Sequence, residues 1–304
     1  MRVIVVGMGV QGKKRLAIAG RDAVGTVDPV WPHADHKRVE DVPLSGFDAA
    51  LVCTPDRAKL PVLAHLLLHG KHVLVEKPLL AGSAAELRQL QQLAVAHRAT
   101  CYTAYNHRFE PHIVRLKRDL DSGVLGTLYL AKFFYGNGTA RDVRNSAWRD
   151  QGRGVLSDLG SHLLDWALYL FGRPDRPAAV WRDNRYENLA SDHFHFGFRE
   201  TRPDLDFEMT LLSWRNTFRC DVFAEKGSAH IDGLCKWGPS TYSLRRRVLP
   251  SGRPEEETEV LQCPDPTWQA EYEHFLRLCQ TPTTNLDNDI WINSVFAQVG
   301  DRPS

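Results

Sequence analysis

The chain has 304 residues, 43% of them hydrophobic and 25% charged, the balance of a globular protein with a substantial core. Its 38 Lys and Arg against 37 Asp and Glu leave a net charge of +1, which excludes a field-scale attraction to nucleic acid or to an acidic membrane surface. The length suits two domains of ~100–200 residues each.

The first hundred residues alternate strand and helix signals. Val3–Val6 is a continuous β-branched run, as expected of a strand buried on both faces. A glycine turn and a helix, Gln11–Ala19, follow it. Ala23–Asp28 reads as the second strand, and Asp48–Thr54 as the third, ended by Pro55. Pro29, Pro32 and Pro43 interrupt the segment between them, so an irregular connection or at most a short helix is predicted there. A helix with Pro61 in its first turn and Gly70 as its stop leads to the strand His72–Glu76. Ser83 and Glu86 form a capping box ahead of Leu87, Leu90 and Leu93, and Thr100–Tyr105 is a further strand. Such alternation predicts a parallel sheet covered by helices.

Past residue 105 the texture changes. Pro111–Asp121 is predicted helical and is stopped by Gly123–Gly126, with a strand at Leu128–Tyr135. A second helix spans Asp158–Phe171, closed by Gly172 and Pro174. Ala178 to Leu261 is strand-like with frequent turns, and its run Arg245-Arg246-Arg247 reads as a charged strand or loop. There His193, His195 and Gly197 alternate with Phe194, Phe196 and Phe198, giving one polar and one aromatic face. Pro266–Leu278 carries a terminal helix. The boundary falls near residues 104–110. Residues 1–106 are expected to form a dinucleotide-binding domain and 107–304 a substrate and oligomerisation domain, with the terminal helix free to pack back on the first.

Six cysteines (Cys53, Cys101, Cys220, Cys235, Cys263, Cys279) lack any CxxC pair, the pattern of reduced thiols rather than of a disulfide framework or zinc site. The opening MRVIVVGMGVQG enters a folded element without the marks of a signal peptide, and no stretch approaches the ~20 apolar residues of a membrane span. A cytoplasmic location is the expectation.

Gly7-Met8-Gly9-Val10-Gln11-Gly12 is a G-x-G-x-x-G turn between strand and helix. Gly7 permits the tight turn, Gly9 lets the backbone approach a pyrophosphate, and Gly12 lets helix pack on strand. The pyrophosphate then meets free N–H groups at the helix start, around Val10 and Gln11. Asp28 ends the second strand about 20 residues on, where a carboxylate can accept bonds from ribose hydroxyls. No arginine follows in Pro29-Val30-Trp31, and an aspartate would repel a 2′-phosphate, so NAD is favoured over NADP. The alternative for Asp28 is a cap on the turn before proline.

Glu76-Lys77-Pro78 follows a parallel strand directly, and active-site groups of open α/β sheets sit outside the strands' carboxyl ends. Lys77 could there hydrogen-bond a substrate hydroxyl. Asp158 and His162 stand four apart on a helix, which puts carboxylate and imidazole on one face, and Asp165 extends that face. An imidazole can accept an alcohol proton as hydride leaves. An amphipathic helix with a wet polar edge is the plainer alternative. His193 and His195 share a strand face without a third ligand at diagnostic spacing, so no metal site is predicted. No G-x-S-x-G elbow supports a serine hydrolase.

Together these pieces resemble the Gfo/Idh/MocA oxidoreductase family, whose namesakes include glucose–fructose oxidoreductase and inositol dehydrogenase. The matching motifs are Gly7–Gly12, Thr54-Pro55, the stretch Gly70–Pro78, Tyr105–Phe109, Trp148-Arg149 and Gly154–His162, in the family's order. The resemblance implies an α/β chain: an N-terminal Rossmann domain followed by a C-terminal α+β domain with a mixed, mostly antiparallel open sheet. It also implies homodimers or homotetramers. By position, Lys77 would bridge substrate and nicotinamide through a cis Lys77–Pro78 bond, and His162 would be the acid/base with Asp158 as its partner. Thr54, Pro55, Glu76, Trp148 and Arg149 would contact cofactor, and Asn106 and Arg108 substrate. The implied reaction is hydride transfer between nicotinamide and a secondary alcohol of a sugar, cyclitol or nucleotide-sugar. Reduction of a non-sugar carbonyl or imine, and a non-catalytic NAD-binding regulator, are the alternatives. Where many relatives carry a histidine after Thr-Pro, this chain reads Asp56-Arg57-Ala58-Lys59.

Overall fold

Four short apolar runs in the first 105 residues have no polar face, so each needs cover on both sides. In the structure, a computed structural model that describes residues 1–300 apart from the side chains of Ala147 and Trp148, they become strands of one parallel sheet. Its strands are β1 (Val3–Val6), β2 (Ala23–Val27), β3 (Ala49–Val52), β4 (His72–Glu76) and β5 (Cys101–Ala104), in spatial order β2-β1-β3-β4-β5. The helices α1 (Val10–Ala19), α2 (Asp56–Leu68) and α3 (Ala84–Ala96) connect them. The capping box at Ser83 and Glu86 forms as the sequence indicates. Between β2 and β3 there are only two short 3-10 turns, Val39–Asp41 and Leu44–Gly46, as the prolines require.

Pro61 departs from expectation. It lies inside α2 rather than in its first turn, because the helix already begins at Asp56, straight after Pro55. Its ring removes the N–H that would bond back to Arg57, a residue on the solvent side of the helix.

The second unit comprises His107–Pro266 with the residues from Val295 on. It holds α4 (Pro111–Asp121), β6 (Leu128–Gly136), α5 (Ala140–Arg144), α6 (Ala147–Asp150), α7 (Ser161–Phe171) and the strands β7 (Ala178–Asn184), β8 (His193–Phe198), β9 (Asp204–Thr210), β10 (Thr217–Ala224), β11 (Gly227–Asp232), β12 (Ser240–Arg246) and β13 (Glu255–Leu261). The eight strands form one open sheet in the order β13-β12-β11-β10-β6-β9-β8-β7. Its pairings are antiparallel except β6 with β9, which run parallel. Phe194, Phe196 and Phe198 are buried on one face of β8, and Phe196 stacks toward Phe207 at 5.2 Å. Trp166 of α7 lies 4.5 Å from Phe218, ring centre to ring centre, so α7 packs on this aromatic face.

The first unit is completed from the far end of the chain, by Thr267–Ser294. That segment holds α8 (Thr267–Gln280) and the start of α9 (Leu286–Gly300). The sequence reading anticipated α8 but not α9. The sheet's two faces are covered by different partners. Val3, Val5, Ala49 and Leu51 pack with Tyr272 and Phe275 of α8, whereas Ile4, Val6, Ala50 and Val52 pack with Leu63 and Leu67 of α2 and Leu87 of α3.

One buried charge cluster joins these pieces. Arg15 of α1 is fully buried; its Nε donates to Glu76 at 2.6 Å and its Nη2 to Glu271 of α8 at 2.6 Å. Its guanidinium also lies 4.4 Å from the Trp268 ring. Burial alone would lower the arginine's pKa, but Glu271 and then Glu76 outweigh it and hold the charge on. Breaking a buried pair leaves an uncompensated charge, at a cost of about 3–5 kcal/mol. Glu271→Gln should therefore lose stability of that order in urea unfolding; a change under about 1 kcal/mol would show that the cluster holds nothing together.

Candidate active site

The dinucleotide cradle is built at the end of β1. Gly7 has φ +92°, and a Cβ there would lie 2.8 Å from the Cys53 backbone; one on Gly12 would fall 1.8 Å from the Gly7 carbonyl. These two glycines are therefore obligatory for helix and strand to approach. Gly9 differs: a Cβ there meets nothing within 4 Å, so open space lies over the turn. Gly9 caps α1 without a side-chain bond, and no acidic residue occupies the first helical turn. The first amides of α1, at Val10, Gln11 and Gly12, consequently present an uncompensated positive end, the chemistry that a pyrophosphate needs.

Asp28 follows β2 and anchors this turn. Its Oδ2 accepts the Met8 N–H at 2.7 Å, and its Oδ1 accepts those of Val30 (2.8 Å) and Trp31 (2.7 Å). Turn-capping and glycine-loop anchoring thus fall on one carboxylate, with acceptor capacity still left on Oδ2. Burial opposes its ionisation, but the backbone bonds from Trp31, Met8 and Val30 win, so its pKa lies below the ordinary aspartate value. Beside the loop, the buried Thr54 Oγ1 has no hydrogen-bond partner among the described residues. The residues present fit a dinucleotide: an open turn, a bare helix start, a charged carboxylate and a hydroxyl in want of a partner.

At the end of β4 the Lys77–Pro78 bond is cis. The turn is held from two sides. The Lys59 Nζ, on α2, donates to the Pro78 carbonyl at 2.7 Å and pairs with Asp56 at 2.7 Å. Asn293 of α9 donates to the Leu79 carbonyl at 2.8 Å and accepts from the Ala81 N–H at 3.1 Å. Glu76 is committed to Arg15, so its carboxylate serves this framework. Asn106 donates to Thr267 Oγ1 at 2.7 Å and is buried.

In the second unit, the expected helix Asp158–Phe171 is two structures. Leu156–Gly160 is a π-helical turn, and α7 starts only at Ser161. Asp158 lies within that π turn and His162 in the first turn of α7, so the two do not share the one regular α-helix that the i, i+4 spacing expects; such turns concentrate at functional sites. Asp158 accepts from Arg149 Nη2 at a long 3.4 Å, with both side chains about one-third exposed. His162 is buried and stacks on His107, centroids 4.0 Å apart and planes 23° apart. Trp166 (6.5 Å) and Tyr135 (6.3 Å) complete the aromatic wall. Burial, then the nearby Asp158, Asp265 and Glu110, push the Tyr135 phenol above its usual pKa. Lys236 Nζ sits 2.7 Å from His107 Nε2, and 3.8 Å from Asp265.

Two of the expected residues bond each other here. Asp165 does not extend a catalytic face: it is buried and receives Arg108 through Nε at 2.7 Å and Nη2 at 2.6 Å. Burial raises the Asp165 pKa against the pull of Arg108. The Trp148 side chain lies outside the described residues. His195 faces Asp206 at 2.7 Å and His193 faces Glu208 at 3.6 Å, each imidazole matched with one carboxylate. His107, Lys236 and Tyr135 beside His162, and Lys59 and Asn293 at the turn after Lys77, are neighbours that the sequence does not single out. Only the motif around Tyr105–Phe109 held a pointer to any of them.

Residues 1–105 match the oxidoreductase family with an NAD-binding Rossmann fold, and residues 113–230 match the Gfo/Idh/MocA C-terminal domain. Inositol 2-dehydrogenase 4 of Saccharopolyspora erythraea is 31% identical over 255 residues, 77% of this chain and 74% of that protein. The uncharacterized oxidoreductase YdgJ of Escherichia coli is 28% identical over 74% of this chain, a match that spans 66% of YdgJ. Among solved structures, levoglucosan dehydrogenase in complex with NADH superposes with a TM-score of 0.81 at 17% identity, covering 99% of this chain and 96% of that one. With its parallel first sheet, its mixed second sheet and the cradle at Gly7–Gly12, the chain belongs to the Gfo/Idh/MocA family of oxidoreductases.

Proposed function

We propose that this protein binds NAD in preference to NADP and oxidises or reduces a secondary alcohol or ketone of a sugar, cyclitol or nucleotide-sugar. The observation that carries the reading is the buried imidazole of His162, stacked on His107 beyond the π turn that holds Asp158. A nicotinamide, when bound, supplies the acceptor or donor of hydride. Lys77 donates a hydrogen bond to the reacting oxygen, which favours the charge that builds there as the hydroxyl proton departs. His162 takes that proton during oxidation and returns it during reduction. Asp158 accepts a hydrogen bond from the substrate, and Arg149 and Trp148 are assigned to the cofactor side. Asn106 and Arg108, each bonded within its own unit, are assigned to the substrate side. Inositol and levoglucosan dehydrogenases among the similar proteins support a polyhydroxylated substrate.

The NAD preference rests on Asp28. Its depressed pKa keeps it charged at neutral pH, and no arginine follows it to neutralise a 2′-phosphate. Six free cysteines suit a reducing cytoplasm, and among the described residues no helix is long and apolar enough to cross a membrane. A homodimer or homotetramer is the assembly we propose.

His162→Gln should lower turnover by ~10²–10⁴-fold on a panel of cyclitols and pyranoses, followed at the reduced-nicotinamide absorbance band, while NADH affinity stays within a few-fold. Turnover close to wild type would remove His162 from the chemistry. Calorimetric titration should find NADH bound at least about tenfold more tightly than NADPH, and Asp28→Asn should narrow that gap. Equal wild-type affinities would sink the preference.

A further inference from the structure

The second unit contains a charged chain that the reaction as described does not use. Lys236 precedes Trp237 in a short 3-10 turn, and its ammonium meets His107 Nε2 at 2.7 Å. His107 in turn lies flat against His162. Its position is fixed from the backbone as well, since its carbonyl accepts the Trp166 Nε1–H at 2.9 Å. Rings 4.0 Å apart with planes 23° apart feel each other's charge strongly, because little water separates them.

An ammonium group has donors only, so the His107 Nε2 that it contacts must offer a lone pair. That requirement puts the His107 proton on Nδ1 and keeps the ring neutral, since a second proton would point at a cation. Protonation of His162 must then occur against a neutral ring with a fixed positive charge behind it. Resting on the role of His162 stated above, we propose that Lys236 and His107 are positioning residues that hold His162 in its proton-accepting form. Lys236 does so by fixing the tautomer of His107, and His107 by stacking on His162.

The other charges around this group bear on the balance. Asp158, one turn before His162, favours its protonated form, and Arg149 partly offsets Asp158 at 3.4 Å. Asp265 draws on Lys236 from 3.8 Å. Glu110, Asp265 and Asp158 all act on Tyr135, whose ring lies beside both histidines, and burial keeps that phenol neutral. Glu110 itself is buried, raised in pKa by that burial, and bonded to the Cys235 N–H at 2.7 Å. Lys236 is therefore a cation in direct contact with the stacked pair.

The test uses the full-length chain labelled with ¹⁵N-histidine, read by long-range proton–nitrogen correlation, with His107→Gln and His162→Gln assigning the signals. Between about pH 5.5 and 8, His107 should remain the neutral Nδ1–H tautomer. In Lys236→Met it should begin to titrate, and the His162 midpoint should rise by about one pH unit. The sign follows from removing a positive charge, which makes the protonated imidazole easier to form. Lys236→Arg should restore the wild-type midpoint. An Nε2–H or protonated His107 in the wild type at neutral pH overturns the proposal, whatever the variants do. So do unmoved midpoints in a folded Lys236→Met. Because these readings need no substrate, they fail separately from the turnover of His162→Gln, whose near-wild-type activity would sink the catalytic role alone.

Discussion

A guanidinium sealed from water cannot be left without counter-charges, and the first unit is arranged around that constraint. Arg15 rises from the helix that starts in the glycine turn, and its two partners come from the end of β4 and from α8. Glu76 is the residue immediately before Lys77. The cluster thus ties the helix facing the dinucleotide to the strand end that presents the lysine. Lys59 and Asn293 continue this logic beyond the strand, each bonding a backbone group of the turn that follows Lys77. Polar groups of this kind have few arrangements in which all are satisfied, so they fix geometry where apolar packing alone would tolerate small shifts.

In the second unit, charged residues divide into two sorts. Arg108 and Asp165 form a closed bidentate pair beneath α7, with the geometry that a guanidinium and a carboxylate satisfy best. Asp265 reaches Lys236 at 3.8 Å and Arg149 reaches Asp158 at 3.4 Å, longer contacts whose members keep partial exposure, whereas Lys236 is also held at 2.7 Å by His107. Short mutual bonds make framework; longer ones leave donors and acceptors able to turn toward a ligand. Between these two sets lies the aromatic stack of His107, His162, Trp166 and Tyr135, which screens the imidazoles from bulk water.

Much of the fold was legible because local chemistry and burial agree. Unbroken apolar runs marked β1, β3 and β4, Ser83 and Glu86 announced α3, and three prolines ruled out a crossover helix after β2. Pro61 misled because proline is favoured at helix starts, whereas here Pro55 already performs the entry. The π turn before α7 escaped because a 3.6-residue period was assumed across Asp158. α9 was passed over, although Asp287 and Asp289 in its first turn and apolar residues at Ile292, Val295, Phe296 and Val299 carry the signal. The contacts made by Lys59, Lys236 and Asn293 were beyond reach. Their partners lie 19, 129 and 214 residues away, and nothing in a lysine or asparagine reveals which distant carbonyl or ring it will meet.

Thr267–Ser294 returns to the unit that the first 106 residues begin, and this has a consequence for biosynthesis. As the chain leaves the ribosome, the five parallel strands and α1–α3 emerge long before Glu271, Tyr272 and Phe275 exist. The apolar side of the nascent sheet that α8 covers then has only α1 against it, and Arg15 lacks one of its carboxylates, until that segment has been made. The N-terminal segment therefore waits as an unfinished intermediate, a natural client for chaperones that shield exposed hydrophobic surface.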